Sequence, residues 1–272
     1  MVESFLVIII LELIYVFLQF SIGIFLFIRT LQTKLRHLIW LSFFFILHGI
    51  QLLLLIVLPY VLDIFTVNWS LFCLLLFVKF TFYKERKSAF KILLSVFISV
   101  KIIELYIRIF LVGLDQKISV PQLTPLSNSL IHIYYFYAII IFIQNATPSL
   151  WLSFASFNAY RNLKDMHIQP LVKKRYLLLG LISLFMVSYS ILIFFMPFQG
   201  GFTTDYGFFI GLLFLGSILI FCTGNLVVWL MPNRLKSFLN GDYDSGQELT
   251  ISERELIEKI KMELDGGRIK WK

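Results

Sequence analysis

Long apolar stretches, separated by short polar segments, run through almost the whole chain. Seven of them cover residues 4–28, 38–62, 65–82, 91–113, 128–150, 177–198 and 207–231. A helix needs about 20 mainly apolar residues to cross the hydrocarbon core of a bilayer, and only the third stretch is short by that measure. The pattern therefore predicts an all-α membrane protein, folded as a seven-transmembrane helix bundle.

Lysine and arginine are concentrated in alternate gaps between these stretches. The gaps after the first, third and fifth stretches hold Arg29, Lys34, Arg36, Lys84, Arg86, Lys87, Arg161, Lys164, Lys173, Lys174 and Arg175. The other gaps hold Asp63, Asp115, Lys117 and Asp205. Because Lys and Arg near the ends of spans stay on the cytoplasmic side, we expect the N-terminus outside and the C-terminus in the cytoplasm. The chain is then a multi-pass protein of the cell membrane.

The composition agrees with this class of protein. Apolar residues make up 59% of the 272 residues and charged residues 15%, which leaves too little polar surface to solvate a globule of this size. A net charge of +8 would suggest a nucleic-acid partner in a soluble protein, but here the basic residues lie in segments that face anionic inner-leaflet lipid. The lipid bilayer is the predicted partner, and no nucleic acid is expected.

The fifth stretch is expected to form a long, kinked helix. Its apolar character continues past Pro148 as far as Phe157, and a proline inside a helix removes one backbone hydrogen bond. We expect the side chains of Asn145 and Thr147 to help satisfy the backbone groups that the proline frees. The helix should kink at this point and project beyond the inner face of the membrane.

Three charged residues lie inside the fourth stretch. Lys101, Glu104 and Arg108 are spaced i, i+3 and i+7, so they share one helical face and both cations can reach the carboxylate. Each charge costs about 2.5–3.5 kcal/mol at the centre of a bilayer, so this face should look into protein or a wet cavity. At about 1.5 Å per residue, Lys101 lies near the midplane and Arg108 close to the outer interface.

Polar residues of other stretches lie at compatible depth and leave two interpretations open. In the first, an outward-opening site attracts an anionic or polar ligand to the cations, and tyrosine stacks against its apolar part. In the second, the charges form a closed network that orients the helices. The candidate ligand-binding residues are Lys101, Glu104, Arg108, Glu12, His132 and Tyr135.

The remaining polar residues within spans are expected to have structural roles, as hydrogen-bonding or kink residues. They are His48, Gln51, Asn145, Pro148 and Asn225. A zinc site needs three or four ligands with restrictive spacing, which the sequence lacks, so no metal is predicted. Phosphate-binding loops, paired intramembrane aspartates and Ser/His arrangements are also missing. We therefore expect no catalytic residues, no cofactor and no enzyme activity.

The segment after the last stretch is predicted to contain two short helices. Residues 232–240 begin with Pro232 and carry apolar residues on one side, which is typical of a helix lying on the inner membrane surface. Within the cytoplasmic tail, 241–272, Ser252 and Glu255 form a capping box, and an apolar stripe predicts an amphipathic helix over 252–265. This short tail helix either stays solvated or docks, and because its charges nearly cancel, a cytoplasmic signalling protein is favoured over lipid as its docking site.

Three segments give the chain a resemblance to the seven-helix membrane sensor regions of archaeal and bacterial histidine kinases and related stand-alone proteins. They are Tyr160-Arg161-Asn162-Leu163-Lys164-Asp165, the run from Pro170 to Leu179, and Trp229-Leu230-Met231-Pro232. The resemblance covers the layout of residues 1–240 and implies that the bundle detects a signal and passes helix motion to a cytoplasmic output. No kinase domain follows Lys272 in the sequence, so the expectation is a stand-alone component.

The favoured hypothesis is an integral membrane sensor, a receptor-like component that detects a ligand or a bilayer signal in the outer half of the bundle and relays it to a cytoplasmic partner. One alternative is a small transporter of a polar or anionic solute, built as three plus one plus three helices. Another is a non-catalytic scaffold subunit of a membrane complex. Internal symmetry between residues 4–82 and 128–231 would favour the transporter, and the sequence has no polar positions in register between them.

Overall fold

The computed structural model describes residues 2–33, 35–57, 69–83, 87–112, 130–164, 170–195, 204–231 and 233–240, and these form helices without β-strands. The α-helices are α1 (Val2–Thr33), α2 (Leu38–Val57), α3 (Trp69–Phe82), α4 (Lys87–Tyr106), α5 (Ile131–Leu163), α6 (Pro170–Leu192), α7 (Asp205–Leu230) and α8 (Asn233–Asn240). A π-helix, Ile107–Val112, continues α4, and a 3₁₀-helix, Ile193–Phe195, continues α6.

The predicted all-α class is confirmed for the part of the chain that the structure describes. Four helices are long and apolar enough to cross a membrane, which indicates a membrane protein: Ile10–Thr33, Ile131–Leu163, Pro170–Leu192 and Asp205–Leu230. Shorter apolar helices occupy Leu38–Leu54 and Trp69–Phe82. The predicted span ends within 58–68, 113–129 and 196–203, and the predicted tail helix at 252–265, lie outside the described residues.

Six of the helices close into a ring. In ring order, α1 packs against α2, α2 against α3, α3 against α5, α5 against α6, α6 against α7, and α7 returns to α1. The α4 helix stands outside this ring and packs chiefly against α5. The fourth predicted span therefore has one protein-facing side, and most of its remaining surface is exposed.

Aromatic side chains fill much of the ring interior. Phe44, Phe45 and Phe221 are fully buried, and the Phe221 ring lies 6.0 Å from the Phe44 ring and 6.1 Å from the Phe45 ring, centre to centre. Such ring pairs stabilise a core beyond simple burial of area. The packing ties α2 to α7, the two helices that flank α1.

Cationic side chains fasten the end of the bundle at which α7 ends. The Arg29 guanidinium of α1 donates a hydrogen bond to the carbonyl oxygen of Trp229, near the end of α7, and the Arg175 guanidinium of α6 lies 6.0 Å from the centre of the Trp229 ring. Cations at the C-terminal end of a helix are favoured by its dipole and by its unpaired carbonyls. The last ring helix is therefore held from both neighbours.

The α8 helix lies within the predicted interfacial segment 232–240 and is attached to α6. Leu239 is buried in a small apolar cluster with Leu171 and Met231, and the Lys174 ammonium donates a 2.8 Å hydrogen bond to the Leu239 carbonyl oxygen. Phe238, on the other side of α8, is 78% exposed. The start of the tail is thus coupled directly to α6.

The closest approach between helices α1 and α2 occurs at a glycine. A β-carbon added at Gly23 would lie 2.5 Å from Cγ1 of Ile46 and 3.2 Å from two backbone atoms, the Ile46 nitrogen and the Ser42 oxygen. The Ser42 hydroxyl donates a 2.7 Å hydrogen bond to the Gly23 carbonyl oxygen. The short distances at Gly23 and the Ser42 hydrogen bond both show that the backbones of α1 and α2 lie close together here.

We expect Gly23→Ala to push α1 away from α2 and to lower the free energy of unfolding by about 1–3 kcal/mol, because the packed core cannot absorb the added methyl group. Gly216→Ala is the matched control, since a β-carbon there meets nothing within 4 Å. Thermal unfolding in detergent, followed by circular dichroism, measures both. Equal stability of the two variants would contradict the close approach.

Candidate functional site

The charged face of α4 is turned toward α5, and a buried ion pair lies at its centre. The Glu104 side chain is fully buried, and the Lys101 Nζ atom lies 2.9 Å from Glu104 Oε2. Lys101 is 16% exposed, so it lies at the edge of the contact. Of the two cations that the sequence places within reach of the carboxylate, Lys101 makes this ion pair.

A glutamine of α5 completes the contact. Gln144 is buried, and its Nε2 atom donates a 2.8 Å hydrogen bond to the same Glu104 Oε2 atom. The other carboxylate oxygen, Glu104 Oε1, is buried as well and accepts no hydrogen bond from the residues that the structure describes. The carboxylate is therefore bonded at one oxygen by two donors, while its second oxygen takes none from these residues.

Arg108 lies in the π-helix that follows α4. Its side chain is 7% exposed, so the expectation that Arg108 shares the protein-facing side with Glu104 agrees with its burial. Single π-helical turns are rare and occur frequently at functional sites. With Lys101, Glu104 and Arg108, the described side chains of this cluster carry two positive charges and one negative charge. We call Lys101, Glu104, Arg108 and Gln144 the α4–α5 cluster.

Three of the predicted ligand-binding residues are not brought to the α4–α5 cluster. Glu12 is exposed on α1, which is opposite α5 in the order of the ring. His132 is exposed in the first turn of α5, about 18 Å from Gln144 at 1.5 Å per residue. Tyr135 is 46% exposed, whereas its neighbours Tyr134 and Tyr137 are buried. The tyrosines that face the protein interior are therefore Tyr134 and Tyr137, and Tyr135, the one selected from the sequence, faces outward.

The α5 helix passes through Pro148 without a break and extends to Leu163. Pro148 has no N–H group, so the helical hydrogen bond to the Gln144 carbonyl cannot form. Side chains around the proline bond to neighbouring carbonyls instead: Asn145 Nδ2 to Ile141, Thr147 Oγ1 to Ile143 and Ser149 Oγ to Asn145, at 2.7–2.9 Å. Asn145 and Thr147 therefore bond to carbonyls that precede the Gln144 carbonyl, so the expectation that they satisfy the group freed by the proline is wrong for these contacts.

A second group of polar residues lies inside the ring, among α1, α2, α3 and α7. His48 is buried, its Nδ1 atom lies 3.2 Å from the Ser70 hydroxyl, and its ring lies 5.9 Å from that of Tyr15. Gln51 is buried one turn further along α2. On the α1–α7 side, Gln19 Nε2 lies 3.0 Å from Cys222 Sγ. His48 is a packed, hydrogen-bonded residue, as expected.

Asn225 is buried and has a hydrogen-bonding role within its own helix. Its Nδ2 atom donates a 2.8 Å hydrogen bond to the Phe221 carbonyl, one turn earlier in α7. Its Oδ1 atom is buried and has no hydrogen-bond partner among the described residues.

Sequence reasoning did not select Gln144, Gln19 or Ser70. The two glutamines are uncharged, so a search for charges inside spans passes over them, although an amide in the middle of an apolar stretch was a visible cue. Ser70 gave no cue, because serine is common in transmembrane helices. Across the described ranges, no three His, Cys, Asp or Glu side chains are grouped so as to hold a metal ion.

Comparison with protein-family models, with curated proteins and with solved structures finds no match to this chain. Function must therefore be argued from the residues and their geometry.

We expect Lys101→Met to destabilise the protein by about 3–5 kcal/mol, because it leaves the Glu104 carboxylate buried without its cation. Replacing both partners, as Lys101→Met with Glu104→Leu, should restore most of the loss, since an apolar pair of similar size avoids burying an unpaired charge. Lys91→Met, at an exposed site on the same helix, is the control. Thermal unfolding in detergent separates the three. A double variant no more stable than Lys101→Met would contradict this account.

Proposed function

We propose that the chain is a seven-transmembrane sensor of the cell membrane, a receptor-like signalling component without enzyme activity. Its N-terminus lies outside and its C-terminus in the cytoplasm. A ligand or a change in the bilayer acts on the α4–α5 cluster, and the response passes along α5 to the tail, where residues 252–265 contact a cytoplasmic signalling protein. The resemblance to the membrane sensor regions of histidine kinases belongs to the same proposal.

The observation that carries the proposal is the double role of Gln144. Its side chain binds Glu104 of the outlying α4 helix, and its backbone carbonyl is the one that Pro148 deprives of a helical hydrogen bond. A change at the cluster therefore acts on α5 at the turn where the helix is least restrained by its own backbone. Kinks and lost ladder bonds at proline are recognised points of helix bending.

Contacts beyond Pro148 lead toward the tail. The Ser153 hydroxyl of α5 donates a 3.0 Å hydrogen bond to the Gly180 carbonyl of α6, and Lys174 of α6 binds the Leu239 carbonyl of α8. Packed helices with such contacts shift as units of about 1–2 Å in switching proteins. Motion of the inner half of α5 would thus reach α8, which immediately precedes the tail.

The order of helices in the ring favours the transporter as the second candidate. Helices α1, α2 and α3 follow one another, then α5, α6 and α7, with α4 outside, which is the arrangement expected of three plus one plus three helices with parallel repeats. A transporter needs a solute path near the middle of such a ring. Phe44, Phe45 and Phe221 are fully buried and packed together where α2 meets α7, which counts against a path on this side of the ring and favours the sensor.

We expect removal of the α4–α5 cluster to alter the position of the inner end of α5 relative to α8. Spin labels on cysteines introduced at Arg161 and Ser237, both exposed, report this distance once Cys73 and Cys222 are replaced by alanine. The Lys101→Met/Glu104→Leu variant should shift or broaden the distance distribution by about 2 Å, as measured by double electron–electron resonance. Lys91→Met should leave it unchanged, and identical distributions in all three proteins would refute the relay.

The tail should be required for the partner. We expect affinity capture from native membranes to retain a cytoplasmic signalling protein with the full chain, and to lose it when the chain is truncated after Asn240. A full-length chain carrying Leu256→Glu and Ile260→Glu tests the apolar stripe alone, because two charges on that stripe prevent an amphipathic helix from docking. Recovery of the same proteins with every version would rule out docking through residues 252–265.

A further inference from the structure

The buried Glu104 Oε1 atom needs a hydrogen-bond donor. Lys101 and Gln144 both bond to Oε2, and the described residues supply no donor to Oε1. A buried acceptor left without a donor is destabilising, and more so when it carries charge. The bonding pattern of this carboxylate therefore points to a group from outside the described chain that donates to Oε1.

Access to the α4–α5 cluster is from the side of the bundle. Because α4 lies outside the ring, the contact between α4 and α5 has its edges on the bundle's outer surface. One helical turn from Lys101 on α4, the apolar residues are Ile98, which is 48% exposed, and Leu105, which is half-buried. Lys101, at 16% exposure, is the polar residue of the cluster that reaches this edge. In the proposed membrane topology, that surface faces lipid.

We propose that the contact between α4 and α5 binds the polar head of a membrane-dissolved amphiphile that carries a hydroxyl group. The hydroxyl donates to Glu104 Oε1, and Lys101, whose ammonium has three donors, donates to an oxygen of the same head. The apolar tail lies along Ile98 and Leu105, beside Lys101 on α4. This inference rests on the proposed function in one respect, since it names the class of ligand for the same cluster.

The charges of the cluster favour an oxygen-rich head over an amine. The Lys101 ammonium at the exposed edge of the contact repels an ammonium group and favours oxygen acceptors. A hydroxyl combines the donor that Glu104 Oε1 requires with an oxygen that accepts from a cation. A long-chain alcohol and an acylglycerol both carry such a hydroxyl group. A labelling probe made from each compound shows which of the two binds.

The test is photolabelling of the full chain in lipid vesicles. Three probes have the same diazirine- and alkyne-bearing tail and end in an alcohol, a monoacylglycerol or the methyl ether of the alcohol. We expect one hydroxylated probe to label peptides of α4 and α5 about tenfold more than the methyl ether, the effect of one hydrogen bond to a charged group. The stronger of the two hydroxylated probes identifies the source, and mass spectrometry locates the label.

Competition and variants control the test. In the wild-type chain, excess unlabelled alcohol should suppress labelling and its methyl ether should not, so this part depends on no variant. Labelling should be lost in Lys101→Met/Glu104→Leu and retained in Lys91→Met. Equal labelling by the alcohol and its methyl ether would overturn the proposal. Labelling reports occupancy alone, so its failure is distinct from a failure of the spin-label relay experiment.

Discussion

Side-chain hydrogen bonds to the backbone carbonyls of a neighbouring helix hold this bundle together. Ser42 binds the Gly23 carbonyl between α2 and α1, Ser153 binds the Gly180 carbonyl between α5 and α6, and Arg29 binds the Trp229 carbonyl between α1 and α7. In an apolar interior a polar side chain must find its partner within the protein. Each such bond requires close backbones or a helix end, which explains why two of the three acceptors are glycines.

Polar residues of the bundle fall into two groups with different surroundings. Inside the ring, the amide of Gln19 links α1 to α7, and His48 links α2 to α3 and packs against the Phe44 ring. Both residues join helices that already pack against each other through apolar side chains. Between α4 and α5, a buried ion pair and a second cation lie in a contact with exposed edges. Buried ion pairs contribute little to stability on balance. Apolar residues would hold α4 against α5 at least as well as this ion pair does. The presence of charges there is the physical reason why we propose a functional role for the α4–α5 cluster.

The positions and lengths of the helices could be predicted from the sequence more readily than which helices pack against one another. The described parts of all seven apolar stretches lie on helices, and apolar character beyond Pro148 agrees with the extension of α5 to Leu163. The start of α6 at Pro170 was placed seven residues late, because Lys173, Lys174 and Arg175 lower the apolar content of its first turns, although proline is favoured there. Exposure of His132 and Tyr135 depends on the rotation of α5 about its axis. The ring order, and with it the pairing of Glu104 with Gln144, arises from packing between distant segments.

Closure of the ring between α1 and α7 has a consequence for biosynthesis. The first ring helix to leave the ribosome is α1, and its polar residues Gln19 and Arg29 have their partners, Cys222 and the Trp229 carbonyl, on the last. Throughout synthesis of the intervening helices, these two side chains must be accommodated by water, lipid head groups or insertion machinery. The arrival of α7 is therefore the step at which Gln19 and Arg29 first meet these two partners, and a chain interrupted before residue 222 would lack both of them.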